Sequence, residues 1–242
     1  MIELADSRPD ADVAAAEYVR LLGYPRGREL EGRAAELAAW ARAWYAENGR
    51  PWVYARQAES FALDGASMAI AGAPFTSSRL RRTLEQAGAH AVILAAISAG
   101  PEAEQEAQRL WRDEKPDEYF FLEMFAGAVV EHLVTGIGAR LCGWAEERSM
   151  AVLPHYSPGY AEWDIAEQPR LLALVRSHTL PGPLDALDSG ALWPKKSQLA
   201  VFGVTRHIDR VARLTNLRPC ENCSFGPCQF RRAPYRAPCF TL

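Results

Sequence analysis

The sequence predicts one core built jointly from helices and strands, followed by a short cysteine-rich appendage. Three observations lead there. With 242 residues and 49% hydrophobic composition, the chain holds enough apolar material for a substantial core and lies near the upper size of a single domain. Segments rich in Ala, Glu, Arg and Leu alternate with short apolar runs, so α and β elements share the same interior. Four of the five cysteines fall between Cys220 and Cys239, which separates a main domain over residues 1–214 from a tail over residues 215–242.

Taken in order, Ala11 to Leu22 and Gly32 to Ala46 carry apolar residues at helical spacing and are expected as amphipathic helices of an outer layer. Pro51 to Ala55, Ser67 to Ala71 and His90 to Ile97 are short and apolar and read as strands. The stretch from Ser77 through Gln86, bounded by Gly88, reads as a helix between the last two. Pro101 to Trp111 is helical. Pro116 then offers a first-turn proline, and Asp117 and Glu118 suit the positive end of a long helix expected to run to about Glu147.

Leu122, Ala126, Val129, Leu133, Ile137, Leu141 and Trp144 form the core stripe of this helix, with Cys142 expected on the core-facing side as a small buried apolar group. A neighbouring face carries Gly127, Glu131, Thr135 and Gly138, so one carboxylate sits among side chains too small to hold another element, or a ligand, away. Spacing alone leaves two roles open for Glu131: the rim of a tight helix contact, or a ligand partner.

Composition narrows the function classes. A net charge of -3 and a pI near 6.0 provide no basic surplus to track a phosphate backbone, so nucleic acid is not expected as a partner. Met1 to Asp6 has neither a basic nor an apolar leader pattern, and a cytoplasmic location is expected. The apolar stretch from Tyr119 to Trp144 is interrupted by Glu123, Glu131, His132 and Arg140 and is expected as a buried helix, not a membrane span. His90, His132, His178 and His207 are scattered without metal-ligand spacing. Asp117, Glu118 and Glu123 read as first-turn charges, and phosphate-binding glycine loops of the Walker or dinucleotide type are absent.

After the long helix comes His155-Tyr156-Ser157-Pro158-Gly159-Tyr160, a turn in which Pro158 fixes its own backbone and Gly159 is free to adopt angles that other residues avoid. It is followed by Trp163, Asp164 and Gln168, then by Trp193-Pro194-Lys195-Lys196-Ser197 and an apolar strand through Phe202. Lys195 and Lys196 are either solvated or set to neutralise an acid on a cofactor or partner, and Trp163 with Asp164 is equally ambiguous. The ordered set, from about Asp117 to Val204, resembles the activation domain of cobalamin-dependent methionine synthase, above all its stand-alone relatives.

That resemblance implies an α+β fold with a twisted, mainly antiparallel sheet and long helices. It implies S-adenosylmethionine as ligand, contacted by Glu131, Ser157, Gly159 and Tyr160. A carboxylate suits the ligand's ammonium, backbone groups beside a glycine suit its polar edges, and Tyr160 offers an aromatic face. Two positions depart from the family pattern. His155 stands where arginine is usual and Phe202 where the strand tyrosine is expected; histidine offers one donor in place of arginine's bidentate fork.

The resemblance further implies a subunit of a cobalamin-dependent methyltransferase system, serving reductive reactivation by methyl transfer from S-adenosylmethionine. A corrinoid-binding protein or methyltransferase subunit would bring the cobalamin, because the Asp-x-His-x-x-Gly signature of cobalamin domains does not occur here, and a separate electron donor would reduce it.

Cys220, Cys223, Cys228 and Cys239 are crowded in a way that packing rarely produces. In a cytosolic setting thiolate ligation of an iron–sulfur cluster or of zinc is expected over disulfides, and the spacing does not choose between the metals. A redox protein with a retuned pocket, or a zinc-stapled binding protein, are the competing readings.

Overall fold

The computed structural model describes residues 1–214 apart from positions 26 and 66. In chain order the elements are β1 (Glu3–Asp6), α1 (Ala15–Leu21), α2 (Gly32–Asn48), β2 (Trp52–Gln57), β3 (Phe61–Asp64), β4 (Ser67–Ile70), β5 (Ala73–Phe75), α3 (Ser78–Ala87), β6 (Ala89–Ser98), α4 (Glu102–Arg112), α5 (Pro116–Glu146), β7 (Ala151–Val152), α6 (Gln168–Val175), β8 (Asp185–Ala186), β9 (Leu192–Trp193), β10 (Ser197–Thr205) and α7 (Ile208–Leu214). A 3-10 turn over Ile165–Glu167 leads into α6.

Five strands form the central sheet in the order β1-β2-β6-β10-β7, and each of its ladders is antiparallel. This is the α+β, mainly antiparallel class that the family resemblance implied. Alternation along the strands divides the core in two. Val53, Ala55, Ile93, Ala95, Ile97, Ala200 and Phe202 pack with α1, α2 and α5 on one face. Tyr54, Val92, Leu94, Ala96, Leu199 and Val201 pack with α3, α6 and the β3–β5 meander on the other. Burial on both faces explains why β6 reads as an unbroken apolar run.

Local signals account for the helix ends. Ser77 Oγ accepts a hydrogen bond from the Leu80 amide at 3.2 Å to start α3, and Gly88, with φ +61°, stops it in the left-handed conformation. Pro116 opens α5, which runs 31 residues with Leu122, Ala126, Val129, Leu133, Ile137 and Leu141 buried. By length and composition α5 is able to cross a membrane, but 67% of its apolar window is buried inside the fold, as a core helix requires.

Two expectations are corrected, and two strands take places the sequence did not announce. Cys142 is exposed: the buried stripe continues through Leu141 and Ala145, and each residue step turns the helix about 100°, which carries position 142 towards solvent. The first helix begins at Ala15, not Ala11. Ser67 to Ile70 is the middle strand of a separate three-stranded meander. The edge strand β1, whose four residues alternate between exposed and half-buried, has no apolar run to announce it.

Candidate functional site

The site is built where α5 runs beside β10. Glu123, Gly127, Glu131 and Gly138 recur at spacings of four, four and seven and therefore share one side of α5. Two points anchor this row. At one end Glu123 takes Lys195 Nζ at 2.8 Å on Oε1 and Lys196 Nζ at 3.3 Å on Oε2. The lysines thus neutralise an acid of their own chain, and Glu123 is a largely buried partner, not a first-turn charge. The Lys195 amide also donates to Glu104 Oε2 at 2.9 Å, which ties the turn to α4. At the other end a methyl group placed on Gly138 would lie 3.7 Å from Phe202 Cε1, so the glycine faces that ring. Between the anchors stands half-buried Glu131, whose backbone carbonyl accepts from Thr135 Oγ1 at 2.9 Å.

The turn after β7 reaches β10 through Tyr156. Its amide donates to Val201 O at 2.9 Å and its carbonyl accepts from Val201 N at 2.8 Å, extending the sheet edge beyond the two residues of β7. Gly159 has φ +88°, a backbone state that favours glycine. Its amide donates to Trp163 O at 2.9 Å, while the Tyr160 amide donates to Ser157 O at 3.1 Å, so the turn closes on itself. From Ser78 Oγ on α3, a hydrogen bond of 2.5 Å reaches Glu162, which also pairs with Arg82 at 2.8 Å. The Ser78 hydrogen bond, opposed by burial and joined by the Arg82 charge, holds the Glu162 carboxyl below its usual range.

Gln198 joins the turn to the sheet. Its Nε2 donates to Ser157 Oγ at 2.9 Å and to Tyr160 Oη at 3.0 Å. His155 Nε2 shares a 3.2 Å hydrogen bond with the same phenol, and its ring lies 5.8 Å from that of Phe202. His155, Ser157, Tyr160 and Phe202 are therefore one contiguous cluster, with Gly159 shaping the turn. Gln198, Ala200, Phe202 and Val204 alternate on one side of β10, the side of which Ala200, Phe202 and Val204 pack with α5.

Trp163 is core, not surface. It is 3% exposed, lies parallel to Tyr156, and donates from Nε1 to Glu167 Oε2 at 2.7 Å. Glu167 also accepts from Thr76 N at 3.2 Å and Thr76 Oγ1 at 3.1 Å, and Asp164 Oδ1 accepts from the Ala166 amide at 2.9 Å as a local cap. Sequence reasoning missed Gln198, Glu123 and Glu162. The signal for Gln198 was present: a lone amide on the otherwise apolar side of a strand needs partners.

Cys220, Cys223, Cys228 and Cys239 lie outside the described residues. Among the described residues no group of three or more His, Cys, Asp or Glu side chains is placed to hold a metal ion.

No protein-family model matches the chain, and no curated protein does. A solved structure does match: the MetH reactivation domain bound to AdoHcy, with a TM-score of 0.62 at 11% identity, covering 86% of this chain and 79% of that one. The antiparallel sheet, the long helix and the turn that rests on them thus make up the fold of the MetH reactivation domain.

Proposed function

We propose that this chain binds S-adenosylmethionine in the cluster beside β10 and acts as a subunit for reductive reactivation of a corrinoid protein. The observation that carries the reading is the junction of Gln198 with Ser157 and Tyr160, set beside the small-residue row of α5, in a fold shared with a domain solved bound to AdoHcy. Glu131 takes the ligand's ammonium, the backbone around Gly159 meets its polar edges, and Tyr160 supplies an aromatic face beside the sulfonium. His155 holds the Tyr160 phenol and offers one donor to the ligand carboxylate. Phe202 backs that ring and keeps water from it.

In this role the chain orients the methyl donor and excludes water, with no protein nucleophile. The S–CH3 bond breaks with its electron pair staying on sulfur, and the product S-adenosylhomocysteine leaves from the same residues. A corrinoid held by a partner chain, once reduced by one electron from a donor protein, would supply the electron pair that forms the new bond to the methyl carbon. The cysteine tail is proposed to ligate an iron–sulfur cluster, with zinc as the alternative; metal and sulfide analysis of anaerobically purified protein separates the two.

Calorimetric titration with S-adenosylmethionine tests the ligand. Saturable binding is expected, weakened in Glu131→Gln and Tyr160→Ala. A folded, metal-loaded protein that gives no saturable heat would defeat the methyl-donor role and favour a redox or zinc-stapled protein with a retuned pocket.

A further inference from the structure

We propose that a groove on another flank of α5 is a second ligand site, one that takes a nucleoside monophosphate. It opens between the loop after β1, the C-terminal end of α2 and the first third of α5, with a volume of about 590 Å³, within the range of small-molecule sites. Phe125, which lines it, lies roughly 120° around the helix from Glu131, so this groove is separate from the cluster beside β10 and its occupancy does not depend on the function proposed there.

Its charge runs against that of the whole molecule. The chain carries a net charge of -3, yet the groove is lined by the three guanidinium groups of Arg8, Arg42 and Arg50 against a single carboxylate, Asp12. That carboxylate is engaged by Arg42 Nη1 at 3.0 Å. Arg50 Nη1 donates to the carbonyls of Glu47 at 3.2 Å and Gly49 at 2.9 Å, which fixes its fork at the rim. Arg8 is exposed and has no acidic partner among the described residues. Two forks facing one opening suit the oxygens of a phosphate monoester.

The rest of the lining explains why a bare phosphate is not the best ligand. The Arg42 guanidinium lies over the Phe125 ring at 5.4 Å, with Tyr45 edge-on to Phe125 at 5.5 Å. Tyr45 Oη already donates to Ala99 O at 2.6 Å, so Tyr45 turns only its ring to this wall. A half-buried guanidinium beside an aromatic ring is a stacking partner for a planar base. One phosphate clamp beside one stacking plane fits a single nucleotide, and the chain's overall charge does not suit a nucleic-acid strand.

The test is titration of the full chain with AMP, adenosine and inorganic phosphate. AMP is expected to saturate, and adenosine and phosphate each to bind at least tenfold more weakly. The Arg8→Gln/Arg50→Gln double variant, altered at two exposed positions, is expected to weaken AMP at least tenfold with an unchanged melting temperature. Tyr160→Ala, which disrupts only the other site, is expected to leave AMP binding intact. AMP that fails to saturate into the millimolar range, that binds no better than phosphate, that ignores the double variant, or that is lost in Tyr160→Ala would overturn the proposal.

Discussion

Lys195 Nζ stands 2.8 Å from Glu123 Oε1, which locks the turn before β10 to the first third of α5. Burial works against the Lys195 charge, but the hydrogen bond and the negative charge of Glu123 outweigh it and hold the ammonium's pKa above its usual value. A lysine pKa raised by folding gives stability that is complete below the unfolded value, about 10.4, and is lost as pH rises through the folded value. Glu123→Gln is therefore expected to cost on the order of 1 kcal/mol at pH 7, discounted for the partly exposed lysine. In urea unfolding, the gap between wild type and variant narrows above about pH 10.4. A gap that stays constant through that range would remove the charge pair as its cause.

Gln198 holds two members of the cluster with one amide nitrogen. Replacing it by alanine removes two hydrogen bonds, each worth about 1 kcal/mol, and frees the Ser157–Tyr160 turn from the sheet. S-adenosylmethionine affinity is expected to fall about tenfold or more, while the melting temperature falls by only about 4–8 °C, because the two sheet-facing bonds of Tyr156 remain. Calorimetry beside a thermal melt separates the two effects; an unchanged affinity would place the ligand elsewhere.

Under the proposed function His155 faces the ligand carboxylate, which a guanidinium at this position would grip with two N–H groups. His155→Arg is expected to tighten S-adenosylmethionine binding several-fold in the same titration. A loss of affinity would show that the 3.2 Å contact with Tyr160 is what this position contributes.

Glu167 is 8% exposed and accepts from the Trp163 indole and from both the amide and hydroxyl of Thr76. Glu167→Ala leaves the buried Trp163 indole N–H without an acceptor, while exposed Thr76 turns to water, at a cost of about 1–3 kcal/mol. Guanidinium unfolding should show it as a lower midpoint. A shift below about 0.5 kcal/mol would mean that water replaces the carboxylate.

The sequence made some parts of this molecule easy to read and hid others. Pro116, the first-turn acids and the stripe from Leu122 to Leu141 describe α5 closely because helix period and core face coincide there. β6 was readable as an apolar run, since both of its faces are buried. The turn was marked by Pro158 and Gly159, and its neighbours by their order along the chain. Three features were hidden because they depend on pairing across the fold: Gln198 meeting Ser157 some 41 positions away, Glu123 meeting two lysines, and Glu162 meeting α3. Cys142 misled because it sits one residue from the buried stripe, and a helix moves from core to solvent within that single step.

Glu123, Glu131 and Gly138 ride on one helix of 31 residues, a rod about 46 Å long at 1.5 Å per residue. Distances along such a rod are set when the protein folds and do not adjust to whatever arrives. Under the proposed function the row would work as a gauge, not a jaw: it would match a fixed separation between the ligand's cationic end and its aromatic end without closing. Discrimination then resides in fixed spacing, and binding should proceed in a single kinetic step whose rate rises linearly with ligand concentration.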